Sequence, residues 1–202
     1  GFKELRKVWQ QIKELKSLRR YLGAFFVYSM AVQTIMIIAA YFGEKEVQWG
    51  SDSKRTMGLI VSILLIQLIA VLGAWLTSKL VVKYGNIVVL IGLNFSWILI
   101  CTYAYFVITP NDFYIAAAFV GLVMGGIQSL SRSTYSKFIP EDTKDTTSFF
   151  SFYDVAEKIG IVIGMFTYGY IAYVTVNIQN AILFLILFFV IGLLLLLRVP
   201  KK

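Results

Sequence analysis

The stretch IGIVIGMFTYGYIAYVTVNIQNAILFLILFFVIGLLLLL, residues 159–197, runs for thirty-nine residues without a charge. As a helix rising ~1.5 Å per residue it would be roughly 58 Å long, against a bilayer hydrocarbon core of about 30 Å. It must therefore fold back once. The polar group Thr175, Asn177, Gln179 and Asn180 offers the turn, so the run reads as two membrane spans. Just ahead of it, Asp154, Glu157 and Lys158 crowd one helical turn, and Arg132 sits inside another long apolar segment.

Working outward, the same reading holds for the rest of the chain. Of 202 residues 58% are hydrophobic and only 15% charged, with a mean hydropathy of +0.76, too apolar for a water-soluble core of this size. Lipid cannot satisfy backbone amides, so spans are helices or closed barrels. The uncharged runs exceed the ~10-residue alternation of barrel strands, which leaves helices. The sequence predicts an all-α polytopic membrane protein with six spans at Tyr21 to Gly43, Met57 to Val82, Ile87 to Ile108, Phe113 to Ile139, Phe149 to Val174 and Ile178 to Val199. The expected organisation is a leading cytoplasmic amphipathic helix, 1–20, and a six-span domain, 21–202. In the leading segment Leu5, Val8, Trp9, Ile12, Leu15 and Leu18 recur at helical spacing among Lys3, Arg6, Lys7, Lys13, Lys16, Arg19 and Arg20. It reads either as a helix lying on the membrane surface or as a charged linker.

Lysines and arginines fix an expected orientation. With six spans both termini share a side, which holds the seven of the leading helix, then Lys79, Lys83, Lys137, Lys144, Arg198, Lys201 and Lys202; the opposite side holds Lys45, Lys54 and Arg55. The bias places both termini in the cytoplasm of an integral membrane protein. Topology and contact with anionic lipid account for the net charge of +8, and no nucleic acid is called for. The chain opens on Gly1 with a charged stretch and not a cleavable apolar segment, which reads as a fragment cut from a longer protein. It has one cysteine, Cys101, and no histidine, so it can form no internal disulfide, Cys-His pair or Ser-His-Asp triad. No cofactor or metal is expected.

Charges inside apolar helices need a counter-charge, a hydrated cavity or a ligand, and mark where function is sought. Gly121, Gly125, Gln128 and Arg132 are spaced 4, 3 and 4, on one face of the fourth span. Arg132 either snorkels to the headgroups or meets a buried partner or substrate. Asp154 and Lys158 are four apart in the favourable acid-first order, with Glu157 beside them. Lys158 lies deepest and is expected to meet an acid or line a cavity; the two acids either bind or are solvated at the interface. Gln33, Gln67, Asn94 and Ser96 either join helices or line a pathway. Gly160 and Gly164, like Gly121 and Gly125, are small residues suited to close helix packing.

The blocks Gly125-Gly126-Ile127-Gln128-Ser129-Leu130-Ser131-Arg132-Ser133, Phe138-Ile139-Pro140-Glu141 and Phe149-Phe150-Ser151-Phe152-Tyr153-Asp154-Val155 with Lys158 carry a resemblance. So do Gly1-Phe2, Phe25-Phe26-Val27-Tyr28 and Val32-Gln33-Thr34. Over nearly the whole chain it resembles one branch of the major facilitator superfamily, the bacterial relatives of the autophagy-related vacuolar amino-acid effluxer. The resemblance implies the C-terminal six-helix half of a twelve-span secondary transporter of the bacterial inner membrane, its partner being the N-terminal half. It also implies amino-acid transport. Departures are visible. The superfamily's Gly-x-Leu-Ala-Asp-Arg-x-Gly loop reads Ser78-Lys79-Leu80-Val81-Val82-Lys83-Tyr84-Gly85, with Val82 where the acid is expected. Ser29 and Met30 stand where relatives often carry an Asp, and Asp154 stands where they carry Asn.

Two functions of different class fit the residues. In a secondary transporter working by alternating access, Arg132 or Lys158 holds the carboxylate of a small anionic or zwitterionic solute, and Asp154 or Glu157 takes a coupling proton. Alternatively, the six helices form a non-transporting receptor, scaffold or self-associating module. An enzyme is not expected: there is no histidine to activate a serine, no Gly-x-Ser-x-Gly motif and no paired intramembrane aspartates.

Overall fold

A computed structural model describes residues 2–141, 143 and 145–200, so expectations resting on Gly1, Lys144, Lys201 and Lys202 fall outside the described residues. Among the described residues the secondary structure is helical throughout: α1 (Phe2–Glu14), α2 (Lys16–Glu46), α3 (Asp52–Tyr84), α4 (Asn86–Ala104), α5 (Pro110–Phe138), α6 (Thr146–Thr175) and α7 (Ile178–Leu196). Side chains set the boundaries. Ser51 and Asp145 accept the amides of Lys54 and Ser148 at the starts of α3 and α6. Thr109 and Asp112 form a reciprocal capping box with Pro110 in the first turn of α5. Gly85, at φ +83°, ends α3 by donating its amide to the Val81 carbonyl at 2.8 Å. Between α6 and α7 the chain reverses at Val176 (φ 53°), and the Asn177 side chain accepts the amides of Gln179 and Asn180 to start α7. The fold-back falls within the polar cluster expected to supply it.

Helices α2, α3, α4, α5 and α7 are each long and apolar enough to cross a membrane. Helix α6 carries Asp154, Glu157 and Lys158 in its first half and an uncharged second half, and it packs along α2 and α7 with the others. The leading segment is divided in two. Its helix breaks at Leu15, and Lys16 to Arg20 continue directly into α2. Part of the apolar stripe of α1 packs on the bundle: Val8 and Ile12 are buried, and the Trp9 ring, itself partly exposed, stacks on Phe152 of α6 at 5.7 Å. Packing against the ends of α6 and α2 satisfies the amphipathic pattern that a membrane surface would also have satisfied.

Between lipid-immersed helices there is little hydrophobic drive, so close packing must hold them together. The largest contact, α3 on α5, is built from glycine. A methyl group on Gly121 would lie 2.6 Å from the Ile66 carbonyl oxygen, and one on Gly125 2.8 Å from the Ala70 carbonyl carbon. Gly73 of α3 answers with the same closeness to Leu122. Gly160 and Gly164 bring α6 against Met30 and Thr34 of α2, and Gly192 brings α7 against Tyr28. Helix α2 is the central post: 56% of its most apolar stretch is buried, against 11% for α3, whose far flank is bare. Many span hydroxyls, among them Ser62, Ser96, Thr102 and Thr167, donate to the carbonyl one turn back on their own helix.

Candidate functional site

A polar seam runs through α2, α5 and α6. Tyr21 and Tyr28 are two turns apart on one face of α2. The Tyr21 hydroxyl donates to the Ser131 carbonyl at 2.7 Å, and the Tyr28 hydroxyl bonds the Ser131 side chain at 2.7 Å, both buried. Tyr135, one turn further along α5, donates to the Phe149 carbonyl of α6 at 2.9 Å. These bonds clamp the three helices where Arg132 leaves α5.

Arg132 donates from Nη1 to Asp154 Oδ1 at 2.8 Å, with both side chains about half exposed. Its guanidinium also lies over the rings of Phe150 and Tyr153, 5.1 and 5.8 Å from their centres. The acid-first spacing of Asp154 and Lys158 therefore does not become a pair: Asp154 turns to Arg132 across the helix contact. A single-helix pair is worth only ~0.3–0.5 kcal/mol, and the aromatic faces under Arg132 favour the planar guanidinium. Lys158 is exposed and makes no ion pair or hydrogen bond among the described residues.

One turn below Asp154, Glu157 accepts a hydrogen bond at Oε1 from Gln33 Nε2 of α2 at 2.9 Å. Gln33 and Glu157 line a cleft with about 20 Å³ of free space, together with Phe25, Tyr28, Gln128 and Tyr153. So Arg132, Asp154, Glu157, Gln33 and Gln128 come together, and Asn94 does not. Asn94 is buried in α4, donating to the Leu90 carbonyl at 2.9 Å, with its Oδ1 unpartnered. Gln67 is exposed and Ser96 half-buried. Gly121 and Gly125 share a face with Gln128 and Arg132 but meet α3, so one stripe packs on α3 at one end and carries polar groups at the other. Sequence reasoning missed Tyr21, Tyr28, Ser131 and Tyr135; two tyrosines seven apart within a span was the available signal.

Long apolar helices packed through glycine around a charged seam define an integral, all-helical, polytopic membrane protein. Over residues 1–202 the chain matches the family described as vacuole effluxer Atg22 like, and it belongs to that family. It is 31% identical over 203 residues to the uncharacterised MFS-type transporter YxiO of Bacillus subtilis, covering 100% of this chain and 45% of that protein. It is 26% identical over 211 residues to autophagy-related protein 22 of Yarrowia lipolytica (100% and 35%) and 28% over 205 residues to that of Eremothecium gossypii (94% and 38%). The chain thus spans less than half the length of these relatives.

Proposed function

We propose that this chain is the C-terminal half of a secondary transporter that moves a small solute, an amino acid, by alternating access across a bacterial inner membrane. Its partner is an N-terminal six-helix half, both termini are cytoplasmic, and a proton taken by an α6 carboxylate is the coupling ion. The observation that carries the reading is the Arg132–Asp154 pair, joining two helices inside a mostly apolar bundle and still half exposed. A pair of that kind is expensive to keep in lipid and useful where helices must part. The bare flank of α3 supports a second half as the missing neighbour, and the family match and the partial coverage of transporter-named relatives support the rest. The lysine and arginine bias supports the sidedness.

The test is uptake and efflux by the full-length protein in liposomes, with an amino-acid panel and an imposed pH gradient. Transport that depends on the gradient and falls at least tenfold in Arg132→Ala and Asp154→Ala is expected. Wild-type rates in both variants would remove the site assignment, and no movement of any panel member in either direction would remove the transport reading.

A further inference from the structure

Resting on the transporter reading, we infer that the cleft between α2, α5 and α6 binds the ammonium group of the solute, with Glu157 as its counter-ion, and that Arg132 does not hold a free carboxylate. Arg132 is already paired with Asp154 at 2.8 Å and flanked by two aromatic rings, so its net charge is offset before a ligand acid arrives. Glu157 is the reverse case. It lies eleven residues past the start of α6 at Thr146, roughly 16 Å along the helix axis, where an ionised group needs a cation. Among the described residues its one hydrogen bond comes from the neutral Gln33 amide, its second oxygen has no partner, and no cation lies within ion-pair distance. Of the nearby charged groups, Arg132 and Asp154 pair with each other, and Lys158 is exposed with no ion pair to Glu157 among the described residues.

The walls suit the same ligand. Phe25 and Tyr153 stack at 4.1 Å and Tyr28 meets Phe25 edge-on at 5.7 Å, placing aromatic surface beside the carboxylate. Ring faces attract an ammonium and leave an anion without compensation. The free space of about 20 Å³ fits one group the size of a water, which is the size of –NH₃⁺. Gln128, exposed at the rim, and Gln33 supply neutral oxygens to further N–H donors.

The experiment is thermal unfolding of the full-length protein in detergent with three probes on one carbon skeleton: norleucine, its decarboxylated form pentylamine, and its deaminated form hexanoate. Norleucine and pentylamine should raise the melting temperature and hexanoate should not. Glu157→Gln, which keeps shape and removes charge, should require about ten- to hundredfold more amine for the same shift, the worth of a hydrogen bond to a charged group. Tyr153→Leu should weaken the amine shift without affecting hexanoate. Protection by hexanoate and not pentylamine, protection by none of the three, or an unchanged amine shift in Glu157→Gln each overturns the assignment. A Glu157-dependent amine shift in a protein that transports nothing upholds the site and sinks the transport reading. Intact transport with an amine shift indifferent to Glu157→Gln does the reverse.

Discussion

Gly125→Ala is the substitution whose outcome the α3–α5 contact fixes most tightly. The added methyl would lie 2.8 Å from the Ala70 carbonyl carbon and closer still to its oxygen, whereas ordinary contacts begin near 3.4 Å. Both neighbours are helix backbone and neither can rotate aside, so the helices must separate by the better part of an ångström. A gap of that size forfeits roughly a quarter to a half of each contact's attraction along the interface. The expected cost is about 1–3 kcal/mol, the usual range for overpacking, less the ~0.5–1 kcal/mol that alanine returns as a better helix former. Gly92→Ala is the control, because a methyl there meets nothing within 4 Å. It should stabilise by the helix-propensity gain alone, ~0.5–1 kcal/mol. Thermal unfolding in detergent, followed by a fluorescent fusion or by near-ultraviolet dichroism, reads both. If Gly125→Ala melts at or above the wild type, or the two variants shift together, the helices are not held at backbone distance and the packing argument is wrong.

Three further outcomes are expected. Val176, a β-branched residue at φ 53° and fully exposed, is strained where glycine is not, so Val176→Gly should raise the unfolding free energy by up to about 1 kcal/mol in the same melt; a lower value would mean the reversal depends on the valine side chain. Arg132→Ala should cost less than about 1 kcal/mol of stability, because a half-exposed pair contributes little, yet abolish transport in liposomes; a large stability loss would make the pair structural instead. The Ser148 hydroxyl and then its amide hold the Asp145 carboxyl below the usual range, so this cap's contribution is full above about pH 4 and is lost as pH falls through the lowered value. Asp145→Asn, which caps without titrating, should flatten the acid side of a melting curve taken from pH 3 to 6; an unchanged slope would show that Asp145 does not carry it.

The helices were legible because lipid leaves the sequence few options: apolar runs of span length, Pro110 and Gly85 at ends, and Asn177 in the reversal each announce themselves. What escaped was decided across the bundle. The partner of Asp154 sits 22 residues away on another helix, and the local rule pointed to Lys158, whose worth on its own helix is a few tenths of a kcal/mol. Gln33 and Glu157 are 124 residues apart and meet only because Gly160 and Gly164 let α6 close on α2. The fate of α1 was ambiguous for a related reason, since a stripe of Val8, Trp9 and Ile12 is served equally by headgroups or by Phe152.

The hydroxyls that bend back to their own helices give the bundle a kind of dry lubrication. Ser62, Ser96, Thr102 and Thr167 each give their proton to their own helix, and among the described residues none of the four forms a latch to a neighbour that sliding would have to break. Among the described residues, friction against rearrangement is thereby concentrated in the side-chain bonds that do cross between helices, such as Tyr28–Ser131, Gln33–Glu157 and Arg132–Asp154.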